Sequence, residues 1–121
     1  MTMMIIGALI LLLVHAWLLP MIFSMKHAAW LLGSRDEVVE FSVHALRAKR
    51  AAINYMESLP AFLALALLAK IDGVDLGDLP MYWLICRAAY AALYLAGTPI
   101  VRSVVWIGSL VILIMMALAF I

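Results

Sequence analysis

The sequence predicts an all-α integral membrane protein, a bundle of four transmembrane helices, and three observations predict it. First, the chain of 121 residues is 69% hydrophobic and 12% charged, with a mean hydropathy of +1.20. A soluble domain of this size cannot bury that much apolar surface, so the bilayer must serve as solvent. Second, the apolar residues gather into four stretches, each near the roughly 20 residues needed to cross a hydrocarbon core. Third, the charges are concentrated between these stretches. Without water to satisfy the backbone, spans of this composition are helices.

The first span is expected at Met3–Met25. Residues 1–25 contain no Lys, Arg, Asp or Glu, so they lack the basic start of a signal peptide and are expected to be retained. The second is expected at Ala51–Ala69, with Glu57 its only charge, the third at Leu79–Ala96 carrying Arg87, and the fourth at Ser103–Ile121 with none. All belong to one domain, residues 1–121. Ser34 and Glu37 have the spacing of a capping box, so the second helix is expected to start near Arg35 and project beyond the membrane. Asp78 is expected to cap the third helix. Gly97-Thr98-Pro99 is a tight break that makes the last two helices a hairpin.

Orientation follows from the cations. Lys26, Arg35, Arg47, Lys49 and Arg50 lie between the first two spans, and Arg102 opens the fourth. Lys70 stands against Asp72, Asp75 and Asp78 between the second and third. The excess of basic residues places the first and third connections in the cytoplasm and both termini outside.

Function is concentrated in residues 47–60. At 100° per residue, Arg47, Arg50, Asn54 and Glu57 fall within an arc of about 80°, one polar stripe running into the membrane. Glu57 lies roughly 10 Å deeper than Arg50. Arg87, Tyr90 and Tyr94 share a face of the third helix, and Arg87 is expected at a depth where it meets Glu57. A charge at the bilayer centre costs about 2.5–3.5 kcal/mol on insertion scales, so such residues are functional by default. The bland alternatives are a structural Glu57–Arg87 pair and interfacial anchoring by Arg47, Lys49 and Arg50. Tyr82, Trp83 and Trp106 read as belt or packing residues.

Cations in surplus, one carboxylate and one amide suit a ligand with two carboxylates and an ammonium group, and glutathione has both together with a thiol. Arginines would grip the carboxylates, Glu57 the ammonium, and Asn54 the peptide amides. A proton or cation carrier would favour carboxylates without spare arginine. The single cysteine, Cys86, excludes an intrachain disulfide. His15 and His27 lack partners at ligand spacing, so no metal site is expected, and no nucleic-acid partner is expected either.

The run Arg47-(x)2-Arg50-(x)3-Asn54-(x)2-Glu57-(x)2-Pro60, then Arg87-(x)2-Tyr90-(x)3-Tyr94 and Pro99-(x)2-Arg102, resembles the MAPEG family, the membrane-associated proteins of eicosanoid and glutathione metabolism. The resemblance implies a homotrimer of four-helix subunits with glutathione bound between neighbours near the cytoplasmic side. It implies that Arg50, Asn54, Glu57, Arg87, Tyr94 and Arg102 line that site, and that Arg102 with Ser103 stabilises the thiolate. Arg47 and Tyr90 join the candidate binding residues through the shared faces. Ile53 and Tyr90 depart from family members that carry a basic residue and a histidine there. The short chain looks bacterial, which would place it in an inner membrane with periplasmic termini.

The expected activity is a glutathione transferase or peroxidase acting on lipophilic electrophiles that arrive from the bilayer. A free thiol near pKa 8.5 is only a few per cent thiolate at pH 7, and each unit of lowering corresponds to 1.36 kcal/mol. The rival is a non-catalytic scaffold or lipid-binding protein of the same fold. A small multidrug exporter fits poorly, because its glutamate belongs in the first span, where this chain has no carboxylate.

Overall fold

The computed structural model describes residues 1–34 and 40–121, and their regular structure is helical throughout. Four helical segments are long and apolar enough to cross a membrane: Thr2–Phe23, Val43–Asp72, Leu79–Ala96 and Pro99–Leu118. The chain is an integral membrane protein of the expected class.

The first span is not one regular helix. Helix α1 (Thr2–Leu13) passes into a π-helical turn, Val14–Leu18, and resumes as α2 (Leu19–Phe23). Pro20 gives the reason. It has no N–H to donate one turn back and its ring crowds that carbonyl, so the wider turn takes up the misfit. A short 3₁₀ turn, Met25–His27, and α3 (Ala28–Leu32) follow.

Helix α4 (Val43–Asp72) corrects the expected start near Arg35. Residues 40–42 are not helical, and the cap is Ser42, whose Oγ accepts from the Ala45 N–H at 3.1 Å. Glu37 of the expected box lies outside the described residues. At the other end Gly73 adopts φ +70°, and the Val74 N–H reaches the Ala69 carbonyl at 2.9 Å. This is the left-handed ending that glycine permits and that satisfies a terminal carbonyl.

Helix α5 (Leu79–Ala96) has Asp78 at its N-cap position, as expected, though the carboxylate makes no capping bond. Pro80 in the first turn loses nothing by lacking an N–H. Helix α6 (Pro99–Leu118) begins four residues before the expected Ser103, with Pro99 opening it. Arg102 therefore lies in its first turn and Ser103 at the start of its second.

Helix α4 is the centre of the packing. Ala45, Ala48, Ala52, Tyr55, Leu59, Phe62, Ala66 and Ala69 are all buried and follow one another at alternating intervals of three and four. That is a heptad seam, and its alanines let neighbouring helices approach closely. Helix α1 packs on α4 and α5, while α5 packs on both α4 and α6. Tyr55 ties three elements together: its hydroxyl donates to the Ala8 carbonyl at 2.6 Å, one face stacks on His15 at 4.5 Å, and Trp83 lies 5.8 Å away. Trp83 in turn stacks on Phe62 at 4.2 Å and is fully buried, so it is a packing residue, whereas Tyr82 and Trp106 stay exposed.

The α5–α6 turn positions the polar end of the bundle. Gly97 has φ +76°, and the Thr98 N–H closes the α5 terminus on the Leu93 carbonyl at 3.2 Å. A Cβ on Gly97 would lie 2.9 Å from both terminal nitrogens of Arg47. Gly97→Ala is expected to cost about 1–2 kcal/mol for the left-handed backbone alone, seen as a lowered Tm in detergent. A larger loss than Gly73→Ala, where a Cβ meets nothing, would measure the displaced arginine.

Candidate functional site

The polar stripe of α4 and the tyrosine face of α5 meet in a cleft of about 180 Å³ lined by Arg50, Ile53, Asn54, Glu57, Tyr90 and Tyr94. Five of these are residues singled out from the sequence. Arg50 and Glu57 are exposed on the single chain, Asn54 and Tyr94 are half-buried, and Tyr90 is buried. The sixth, Ile53, forms an apolar side of the cleft.

Arg87 stands behind the cleft rather than in its lining, fully buried at mid-span. The expected contact with Glu57 is replaced by another: one terminal guanidinium nitrogen donates to Asn54 Oδ1 at 2.7 Å. Similar depth does not fix rotation about the helix axis, and the seam around Tyr55 turns Asn54 toward α5. The guanidinium also lies 4.6 Å from the Tyr90 ring centroid and 5.7 Å from that of Tyr55, within cation–π range. Its Nε and Nη1 have no hydrogen-bond partner, and no ion pair to it is formed among the described residues. Arg87 is thus a buried cation with donors to spare, held by an amide and two aromatic faces.

Arg102 completes the charge set from α6. Its guanidinium carbon sits 4.3 Å above the Tyr94 ring, and Tyr94 meets Tyr90 edge to face at 5.7 Å. The arginine is one ring removed from the cleft and fixed by that ring. Ser103 is directed elsewhere: its hydroxyl donates to the Pro99 carbonyl at 2.9 Å, so its proton is engaged on the backbone one turn back. Arg47, half-buried, donates to the Leu95 carbonyl at 3.2 Å. It braces the C-terminal end of α5, where a cation also complements the helix dipole. The structure therefore gathers Arg50, Asn54, Glu57, Tyr90 and Tyr94 at the surface of the cleft, sets Arg87 and Arg102 behind it, and assigns Arg47 and Ser103 to the helix ends.

Tyr55 is the residue that sequence reasoning passed over. It carries no charge and sits on the seam rather than on the stripe, yet it contributes one of the two rings flanking Arg87. Its spacing three residues from Ala52 and four from Leu59 was the available signal. No cluster of three or more potential metal ligands occurs among the described residues.

Among protein-family models, that of the MAPEG family matches the chain over residues 2–121. No curated protein and no solved structure matches it.

Proposed function

Because the chain belongs to the MAPEG family, we propose that it is a glutathione-dependent membrane enzyme, a transferase or peroxidase acting on lipophilic electrophiles. The observation that carries this reading is the charge set around the cleft. Arg50 lies in its lining, with Arg87 behind Asn54 and Tyr90 and Arg102 behind Tyr94. Against them stands Glu57 alone. A low-dielectric wall with a net positive charge favours an anion over a neutral or cationic ligand, and the single carboxylate gives an ammonium group somewhere to go.

Glutathione supplies the nucleophilic sulfur. The chain's residues bind and orient it: Arg50 takes a carboxylate, Glu57 the ammonium, and Asn54, whose Oδ1 already accepts from Arg87, offers its amide N–H to the peptide. Arg102, held against Tyr94, supplies the positive charge that stabilises a thiolate. The apolar Ile53 side offers an approach for a substrate dissolved in lipid.

The cleft of about 180 Å³ is smaller than the roughly 300–1,000 Å³ of ordinary ligand sites. A second wall is needed, and the homotrimer usual in the family would supply it from a neighbouring subunit. The cation-rich connections put the open end of the stripe in the cytoplasm, with both termini on the other side.

Calorimetric titration of glutathione into the purified protein tests the reading. Binding is expected, and Arg50→Ala is expected to weaken it about tenfold or more, the worth of a charged hydrogen bond. No heat and no thermal stabilisation with glutathione would sink the proposal. Binding without conjugation of a generic electrophile would favour the non-catalytic alternative.

A further inference from the structure

Arg47 is the one residue of the polar stripe that the cleft leaves out. It stands one turn before Arg50 on α4, yet its guanidinium is turned toward the end of α5. There Nη1 donates to the Leu95 carbonyl at 3.2 Å. The same group lies against the bare Cα of Gly97, where a Cβ would meet three guanidinium atoms at 2.9–3.0 Å. Gly97 therefore serves twice: it takes the left-handed turn at φ +76°, and it leaves room for the arginine.

Leu95 follows Tyr94, which lines the cleft, and Gly97 opens the turn into α6. Bonds within the hairpin close that turn. The Gly97 N–H reaches the Tyr94 carbonyl at 3.2 Å, the Thr98 N–H the Leu93 carbonyl at 3.2 Å, and the Arg102 N–H the Thr98 carbonyl at 3.1 Å. They set the shape of the turn but not its seat on α4, and Arg47 supplies a bond from the end of α5 to that helix. Tyr94 and Arg102 lie on either side of the turn, the guanidinium carbon 4.3 Å over the ring. Arg50, Asn54 and Glu57 stand on α4. The charge assigned to the sulfur and the groups assigned to the rest of glutathione thus belong to different helices, and Arg47 spans them.

We propose that Arg47 is a positioning residue for the reaction: it touches no part of glutathione but seats the α5–α6 turn on α4, so that the charge of Arg102 is held toward the sulfur. This role rests on the reading of the cleft as a glutathione site. Its loss belongs in the rate. The α4 residues that grip glutathione do not depend on the turn, whereas stabilisation of a thiolate falls with a small displacement of the charge that faces it. A residue that gripped a carboxylate would show its loss in affinity instead.

The test uses the full chain in detergent, with calorimetric glutathione binding and conjugation of a generic electrophile as readouts. Arg47→Met is expected to lower kcat about fivefold, the shift that one hydrogen bond can impose, and to leave the Kd for glutathione within about twofold. Arg47→Lys keeps a donor for the Leu95 carbonyl and is expected to recover most of the rate. Gly97→Ala keeps the charge but pushes the guanidinium from its place. It is expected to lower kcat by a larger factor in the unaltered protein than in the Arg47→Met background, as residues sharing one contact do. Hydrogen exchange on the ligand-free protein needs no glutathione, and the amides of Gly97, Thr98 and Arg102 are expected to exchange faster in Arg47→Met. An unchanged kcat in Arg47→Met overturns the proposal, as does a loss of affinity with kcat intact. Simply multiplicative effects of the two substitutions overturn it too. Faster exchange in a protein that binds no glutathione sinks the reading of the cleft, while unchanged exchange sinks the brace whatever the ligand.

Discussion

Arg102→Ala is expected to lower the rate of glutathione conjugation about a hundredfold, the scale set by removing one preorganised stabiliser of developing negative charge. Glutathione affinity is expected to change far less, because Arg102 lies behind Tyr94 rather than in the lining of the cleft. Its contribution rises with the charge on sulfur, and an interaction stronger in the transition state than in the ground state appears in kcat. Ser103→Ala is the control. Its hydroxyl already donates to the Pro99 carbonyl, and alanine is the better helix former, so the variant is expected to keep its stability and lose little rate. The measurement is steady-state conjugation of a generic electrophile alongside calorimetric glutathione binding. Equal rates for Arg102→Ala and the unaltered protein would remove Arg102 from the mechanism. A large rate loss in Ser103→Ala would show that the serine turns toward the sulfur during the reaction.

The second large effect concerns the pair behind the cleft. Asn54→Leu leaves the buried Arg87 without its hydrogen-bonded side-chain partner, at an expected cost of about 1.5–3 kcal/mol for a bond to a charged group. Arg87→Met added to Asn54→Leu is expected to recover much of that loss, because removing both polar partners also removes an uncompensated buried charge. Thermal unfolding in detergent measures both. The double variant is nonetheless expected to bind glutathione more weakly, since the positive field behind Tyr90 has gone. If it binds as well as the unaltered protein, the pair is structural only.

Much of this was legible in the sequence because membrane helices advertise themselves. The four helices long and apolar enough to cross a membrane lie where the four apolar stretches fall, but the second begins at Val43 rather than near Arg35. There the Ser34–Glu37 spacing resembled a helix start more closely than Ser42, which has Ala45 three residues on and no acid. The interruption of the first span had one sign, Pro20, and hydropathy is blind to it. Helical phase placed Arg50, Asn54 and Glu57 on one stripe, and Tyr90 with Tyr94 on one face, which is how they lie around the cleft. Phase and depth describe one helix at a time, however. Which residue Arg87 meets depends on how α4 is rotated against α5, and that is set by bulky neighbours such as Tyr55, Trp83 and Phe62. Arg47 and Ser103 carry the right groups in the right region, but nearby backbone carbonyls compete for them, and no residue pattern reveals that competition.

The buried position of Arg87 also bears on how the protein is made. Helix α5 has the lowest mean hydropathy of the four spans, 1.2 against 2.3 for α6, and its arginine sits where insertion costs about 2.5–3.5 kcal/mol. Taken singly, it is the segment least able to leave the translocon for lipid. Gly97 and Thr98 join it to α6, which has hydropathy to spare, and Asn54 waits on α4 with an acceptor for the guanidinium. Entry as a hairpin, with α4 already in place, gives each of these groups a partner before the lipid closes round them. The residue that serves the site therefore also makes α5 dependent on its neighbours for membership of the membrane.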